Sequence, residues 1–330
     1  MQFIYLSLLY LFILLITIKS SNYFKMFDKP AKRKIHKSRI INTGGYSLII
    51  FFLIITKSYE IIPKIDQILI MSFFVFLAGA LDDHHNLSPA SKLVLILVPV
   101  IILVSDGFVI NDLGSYEIIG FIKLGKFALP FTVLCVGLLI NAINYNDGID
   151  GCCLTQTIIT ITYLIFLTLN NYYLVKNLFI ILIPLLIIFL FNISNNLKFK
   201  IFLGDNGSLQ LGFICSFLII YIFNNELIHP SYLIWSVAYV VYEFLTVSIL
   251  RISKNRKLFL PGKDHFHHYL NLYKKFNHLQ TSMIIGIISI TFIFMGYFST
   301  FYVGKIFSLI LFLFIFIIYF LLRKKIYTIK

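Results

Sequence analysis

The stretch Lys305-Ile-Phe-Ser-Leu-Ile-Leu-Phe-Leu-Phe-Ile-Phe-Ile-Ile-Tyr-Phe-Leu-Leu322, followed at once by Arg323-Lys324-Lys325, decides the fold. No charge interrupts it after Lys305, and as a helix it reaches about 27 Å, close to the roughly 30 Å of a hydrocarbon core. Backbone polar groups in lipid must pair within their own segment, so such a run reads as a membrane-spanning helix. Working back through the chain, comparable runs recur at roughly 3–18, 44–57, 65–81, 92–105, 127–143, 152–169, 177–192, 207–223, 230–250 and 280–303. The second and fourth are short and interrupted by Gly or Pro.

Composition agrees. Of 330 residues, 59% are hydrophobic and 13% charged, half the charge of an ordinary soluble domain. Lipid is therefore the solvent for most side chains. The expected fold class is an all-α integral membrane protein of about 11 transmembrane helices, a single polytopic domain over residues 1–330. Residues 3–18 have no basic n-region before them and no small-residue cleavage site after them, which predicts a retained span. Cys135, Cys152, Cys153 and Cys215 lie in or beside apolar runs without a C-x-x-C pair, the pattern of small buried hydrophobes. Residues 106–126 mix Gly and Asp with alternating apolar residues, which suits a short extracellular hairpin.

Charge orients the spans. The loops at 19–43, 82–92, 193–206, 251–279 and 323–330, each following an odd-numbered span, hold 22 of the 28 Lys and Arg residues. Positive charge is retained on the cytoplasmic side, so these loops, with 144–151, are expected in the cytoplasm, the N-terminus outside and the C-terminus inside. The polar residues sort the same way: Asp82, Asp83, Asn144, Asp147, Asp150, Asp205, His265, His267 and His268 all fall in or beside these loops. A channel would place polar groups through the membrane depth and a transporter near its midplane, so the pattern points to an interfacial site on the cytoplasmic face.

Five segments carry chemistry. Asp82-Asp83 are adjacent carboxylates that repel unless a cation or proton lies between them; a metal site, a general base with its partner, and a plain solvated turn all fit. Asn144, Asp147 and Asp150, spaced by three, would share one broad face of a helical turn, with Gly148 and Gly151 allowing close approach. Asp205, between Gly204 and Gly207 before the eighth span, suits either a helix cap or a phosphate–magnesium site. Asp264-His265-Phe266-His267-His268 follows a basic stretch from Arg251, and imidazoles beside Lys and Arg suit phosphates better than a closed zinc shell. Glu243, within the ninth span, needs a partner, and an ion pair with an Arg or Lys of a loop is expected.

In this order the segments resemble the polyprenyl-phosphate N-acetylhexosamine-1-phosphate transferase family, a group that includes phospho-MurNAc-pentapeptide translocase. The resemblance runs from Asp28-Lys-Pro30-Ala-Lys-Arg33-Lys34-Ile-His36 and Gly44-Gly45, through Leu81-Asp82-Asp83 with Lys92, to Asn144-x-x-Asp147-Gly148-x-Asp150-Gly151. It continues in Phe202-Leu-Gly204-Asp205-x-Gly207-Ser208 and His265-x-His267-His268. A proline expected shortly before Gly44 is absent, Glu243 stands where many members have Asp, and Gly262-Lys263-Asp264 depart from the usual residues before the histidines.

The resemblance implies a multi-pass enzyme of the bacterial cytoplasmic membrane. It would transfer a sugar-1-phosphate, with GlcNAc favoured, from a UDP-sugar to undecaprenyl or another polyprenyl phosphate. UMP would leave, as the first membrane step of a cell-envelope glycan. By resemblance, Mg2+ is the cofactor, with Mn2+ as a substitute, held by Asp205 and Asn144. Asp82, Asp83 and Lys92 are the catalytic set, Asp82 handling the lipid-phosphate proton and Lys92 neutralising phosphate. Asp147 and Asp150 shape the nucleotide site, Asn195 and Phe202 face the uracil, and Arg251, His265, His267 and His268 hold the sugar or pyrophosphate. No nucleic acid is an expected partner, and a homodimer stays open. The alternatives are the peptidoglycan translocase itself, a flippase for a lipid-linked sugar, and a non-catalytic scaffold.

Overall fold

All eleven apolar runs fold as helices in the computed structural model, which describes residues 1–28, 39–226, 228–257 and 262–328. The basic segment of the first loop, residues 29–38, lies outside the described residues. In chain order come α1 (Gln2–Ser20), β1 (Phe27–Asp28), β2 (Ile40–Asn42), α2 (Gly44–Ser58), α3 (Pro63–His85) and α4 (Pro89–Ser105). Then follow β3 (Asp112–Tyr116), β4 (Gly120–Lys123), α5 (Ala128–Tyr145), α6 (Cys152–Leu167), α7 (Tyr172–Asn192), β5 (Ile201–Phe202) and α8 (Gly204–Glu226). The ninth run opens as α9 (Pro230–Leu233), tightens into a 3-10 turn and continues as α10 (Ala238–Ser253). Last come α11 (Phe266–Leu272), α12 (His278–Phe298) and α13 (Lys305–Thr328).

Eight of these segments are long and apolar enough to cross a membrane, while α2, α4 and α6 are shorter. The sequence predicted two short spans; α6 is the third, because the backbone leaves the helix at Thr168 and its hydroxyl donates back to the Leu164 carbonyl at 2.8 Å. The expected hairpin at 106–126 is present as antiparallel β3 and β4. A second small sheet was not anticipated: β2 pairs antiparallel with β1 and parallel with β5. Two or three residues are too few to show a period, so these strands had no sequence signal.

The bundle is organised around α8, which is buried along nearly its whole length and packs chiefly against α3 and α5. Close approach is what lets it sit there. A Cβ on Gly212 would lie 2.8 Å from the Ile140 backbone of α5, and one on Gly79 of α3 would lie 2.4 Å from the Asn206 Cα. Helices in lipid gain little from hydrophobicity and depend on such small-residue contacts and on interhelical hydrogen bonds; Gln210 donating to Ser72 at 3.2 Å is one of these. Pro99 and Pro184 sit inside the continuous helices α4 and α7, a cost tolerated where neighbouring helices cover the freed carbonyls. By contrast α13 shows lipid-facing residues along most of its surface.

Candidate active site

The ends of α3 and α7, the turn after α5 and the starts of α8 and α12 meet at one end of the bundle, around a cavity of about 660 Å3. Its lining includes Asp82, Asp83, Asp147, Asp150, Phe202, Asp205 and His268.

The centre is a charge bridge. Helix α3 stops after His85 because Asn86 turns left-handed (φ 50°), which leaves Asp82 in the last turn. Its Oδ1 accepts the Leu87 N–H at 2.8 Å and its Oδ2 accepts Lys92 Nζ at 2.8 Å. Lys92, in the first turn of α4, also contacts Asp205 Oδ2. The other Asp205 oxygen accepts Asn144 Nδ2 at 3.0 Å, and the same amide donates to Ser208 at 2.8 Å. One ammonium thus holds carboxylates from two helices, with Asn144 buttressing the second.

Asp83 does something else. It accepts the Asp205 N–H at 3.2 Å and Asn206 Nδ2 at 2.5 Å, so it caps the positive end of α8. The cap read as an alternative for Asp205 is therefore supplied by Asp83, and Asp205 is left to face Lys92 and Asn144. Gly204 has φ +74°, and a Cβ there would lie 2.4 Å from Asn42 Oδ1 and 2.9 Å from Asp83 Oδ2.

The segment Asn144 to Asp150 differs from expectation. Helix α5 ends at Tyr145 and residues 146–151 run through successive turns, because the Asn146 and Asp147 amides close short bonds to Ile143 and Asn144. The three residues share the cavity region but not one helical face. Asp147 has no hydrogen bond or ion pair among the described residues, and burial, with Asp205, Asp150 and Asp83 nearby, raises its pKa well above the usual carboxylate range. Asp150 accepts Lys200 Nζ and His278 Nδ1, each at 2.6 Å. Burial works to raise its pKa, yet the hydrogen bonds from His278 and Lys200 outweigh this and hold it low.

The histidines stand beside this turn. His265 and His267 stack in parallel at 5.4 Å and His268 lies 4.3 Å from His267. A Cβ on Gly148 would lie 2.5 Å from His267 Nε2, so only glycine permits this contact. His267 is fully buried with neither ring nitrogen bonded. Burial, then the adjacent His268 and His265, lower its pKa far below the normal range, which keeps it neutral. His265 lies 3.5 Å from Glu243.

Two expected site residues are placed elsewhere. Asn195 is exposed on the turn after α7 and does not line the cavity, because Asn192 takes the inward place: it accepts the Gly151 N–H and donates to the Ile201 carbonyl. Arg251 also lies off the cavity lining, its guanidinium drawn into a two-pronged pair with Asp264 at 2.8 and 2.6 Å. Lys92, Asn144 and His267 stand behind the lining, in contact with residues that form it, and His265 stacks on His267 one layer further back. The sequence reading missed Asn42, Lys200, Lys263 and His278, all in the lining. Lys200 had a usable signal, five residues before Asp205 in a stretch already singled out; His278 had none beyond opening an apolar run.

The features together define a class: a polytopic helical membrane protein with an acidic, lysine-bridged pocket at one end of the bundle. Residues 66–223 match the profile of glycosyl transferase family 4. The chain is 27% identical over 270 residues to the probable undecaprenyl-phosphate N-acetylglucosaminyl 1-phosphate transferase of Bacillus subtilis (strain 168), covering 80% of this chain and 75% of that protein. It is 26% identical to undecaprenyl-phosphate alpha-N-acetylglucosaminyl 1-phosphate transferases of Yersinia pestis and of Escherichia coli (strain K12). These alignments cover 82% and 74% of this chain, and 76% and 69% of those proteins. Over residues 66–223 the chain is thus similar to glycosyl transferase family 4.

Proposed function

We propose that the chain transfers a sugar-1-phosphate, GlcNAc-1-phosphate first among candidates, from a UDP-sugar to undecaprenyl phosphate and releases UMP. The observation that carries this is the Lys92 bridge between Asp82 and Asp205 in the wall of a polar cavity, in a chain whose relatives are undecaprenyl-phosphate N-acetylglucosaminyl 1-phosphate transferases. A phosphate oxygen of the lipid attacks the β-phosphorus of the donor, and the bond from that phosphorus to the bridging oxygen of the α-phosphate breaks. Such a transfer is limited by positioning and charge neutralisation. Lys92 supplies positive charge where two phosphates meet, and Asp82 orients the lipid phosphate and takes its proton. Asp147 and Asp150 border the nucleotide with Phe202, and the histidines stand on the sugar-diphosphate side. Polar groups gathered at one end of the bundle favour this reading over a flippase.

Mg2+ fits this donor set. Among the described residues no three His, Cys, Asp or Glu side chains converge on one point, but Mg2+ ordinarily takes one or two carboxylates and completes its shell with water and phosphate oxygens. Asp205, with Asn144, would hold it, and the ion would neutralise the donor phosphates. On the positive-inside rule we read this end of the bundle as cytoplasmic, with the N-terminus outside and the C-terminus inside.

The test is UMP release from purified protein in detergent, with undecaprenyl phosphate, Mg2+ and single UDP-sugars. Release that needs lipid and metal and is lost in Asp205→Asn is expected. Full turnover of Asp205→Asn at limiting Mg2+ would overturn the metal assignment. No release with any donor from folded protein would overturn the function.

A further inference from the structure

The last helix is an odd partner for this bundle. Few residues of α13 are buried, and four of them, Ile315, Tyr319, Arg323 and Tyr327, recur at intervals of four on one stripe. One of the four is an arginine with 2% exposure. With most of α13 turned outward, what this one stripe delivers to the bundle is informative.

It delivers Arg323 to Glu243. The guanidinium donates through Nε to Glu243 Oε2 and through Nη2 to Oε1, each at 3.0 Å, and Tyr319 donates its hydroxyl to Oε2 at 2.5 Å. The pair then reaches the histidine segment by two backbone bonds. Glu243 Oε1 accepts the Phe266 N–H at 2.7 Å, and Arg323 Nη2 donates to the Asp264 carbonyl at 2.8 Å. Residues 264–266 are thus gripped at both ends by one buried ion pair, with Arg251 fixing the Asp264 carboxylate from a third side.

We infer that Arg323, acting through Glu243, is the positioning residue for His265, His267 and His268, and so for recognition of the UDP-sugar donor. Stability alone does not account for the pair, because an apolar pair of similar volume in a buried site is commonly as stable or more so. Position does account for it. His267 rests against Gly148, next to Asp147, so a shift of the histidine segment changes the wall of the cavity. Arg323 and Glu243 both lie outside residues 66–223 that match the family. The inference rests on the donor chemistry proposed above.

The experiment compares wild type, Arg323→Met, Arg323→Lys and the double variant Glu243→Met/Arg323→Met by two readouts. One is steady-state UMP release with donor and lipid varied separately. The other is the rate at which diethyl pyrocarbonate modifies His265, His267 and His268, mapped by mass spectrometry. In Arg323→Met the donor kcat/KM should fall about 10²-fold, the loss that follows about 1 Å of misplacement, with KM for the lipid unchanged and the histidines modified faster. Arg323→Lys should recover part of the activity, since one ammonium restores the charge but not both grips. The double variant, which removes both charges, should remain folded yet keep the poor donor kinetics and the reactive histidines. Wild-type donor kinetics and wild-type modification rates in the folded double variant would overturn the inference. Should wild type release no UMP, the proposed function fails, and the modification rates still decide whether the pair holds the histidines.

Discussion

Gly79→Ala is the sharpest test of how the site is assembled. Gly79 lies one helical turn before Asp83 on the same face of α3. A Cβ there would lie 2.4 Å from Asn206 Cα, 2.5 Å from its backbone nitrogen and 2.6 Å from the Asp205 carbonyl oxygen. All three atoms are backbone of the first turn of α8, so none can swing aside. Ordinary contact begins near 3.4 Å, so α3 and α8 must part by about 1 Å in an interior that is otherwise close-packed. That motion stretches the bonds from Asp83 to the α8 amides and separates Asp82 from Asp205 across Lys92. Overpacking of this kind costs about 1–3 kcal/mol of stability, and a misplacement of about 1 Å costs about 10²-fold in rate. The assay is UMP release at saturating donor and lipid, beside a thermal midpoint in the same detergent. Gly137→Ala is the control: nothing lies within 4 Å of its Cβ, so the helix gains up to about 1 kcal/mol of propensity and turnover stays unchanged. Wild-type turnover and midpoint in Gly79→Ala would refute the claim that this contact sets the spacing of the aspartates.

Two further outcomes follow from the electrostatics. Lys92→Met removes the cation shared by Asp82 and Asp205, and turnover should fall by about 10²- to 10³-fold, the usual effect of losing one preorganised charge. Raising Mg2+ should restore part of it, and turnover equal to wild type in the UMP assay would remove Lys92 from the mechanism. Asp147→Asn should raise the thermal midpoint at neutral pH while lowering turnover. A carboxyl whose folded pKa is raised contributes stability that is fully present below the unfolded value of 3.8 and is lost as pH rises through the folded one. The amide cannot ionise, so the variant should match wild type below pH 3.8 and exceed it above. Midpoints measured across pH that run parallel in the two proteins would contradict this.

Much of the architecture was legible in the sequence because lipid imposes a local code. A run of apolar residues long enough to cross must be helical whatever its neighbours, so the last span could be read from residues 305–322 alone. The surplus of Lys and Arg after odd-numbered spans and the polar motifs at the same loop ends needed no tertiary contact to be seen, and the need of Glu243 for a cation followed from its depth. Which carboxylate does what was decided by the tertiary structure. Adjacent in sequence, Asp82 and Asp83 diverge because one faces Lys92 and the other the free amides of α8. Asn195 yields to Asn192, Arg251 is drawn to Asp264, and Arg323 serves residues far from it along the chain. Each of these assignments depends on how closely two helices approach, and that distance is set by bare backbone at positions such as Gly79 and Gly212. A side chain's partners are a property of that spacing, which no single run of residues contains.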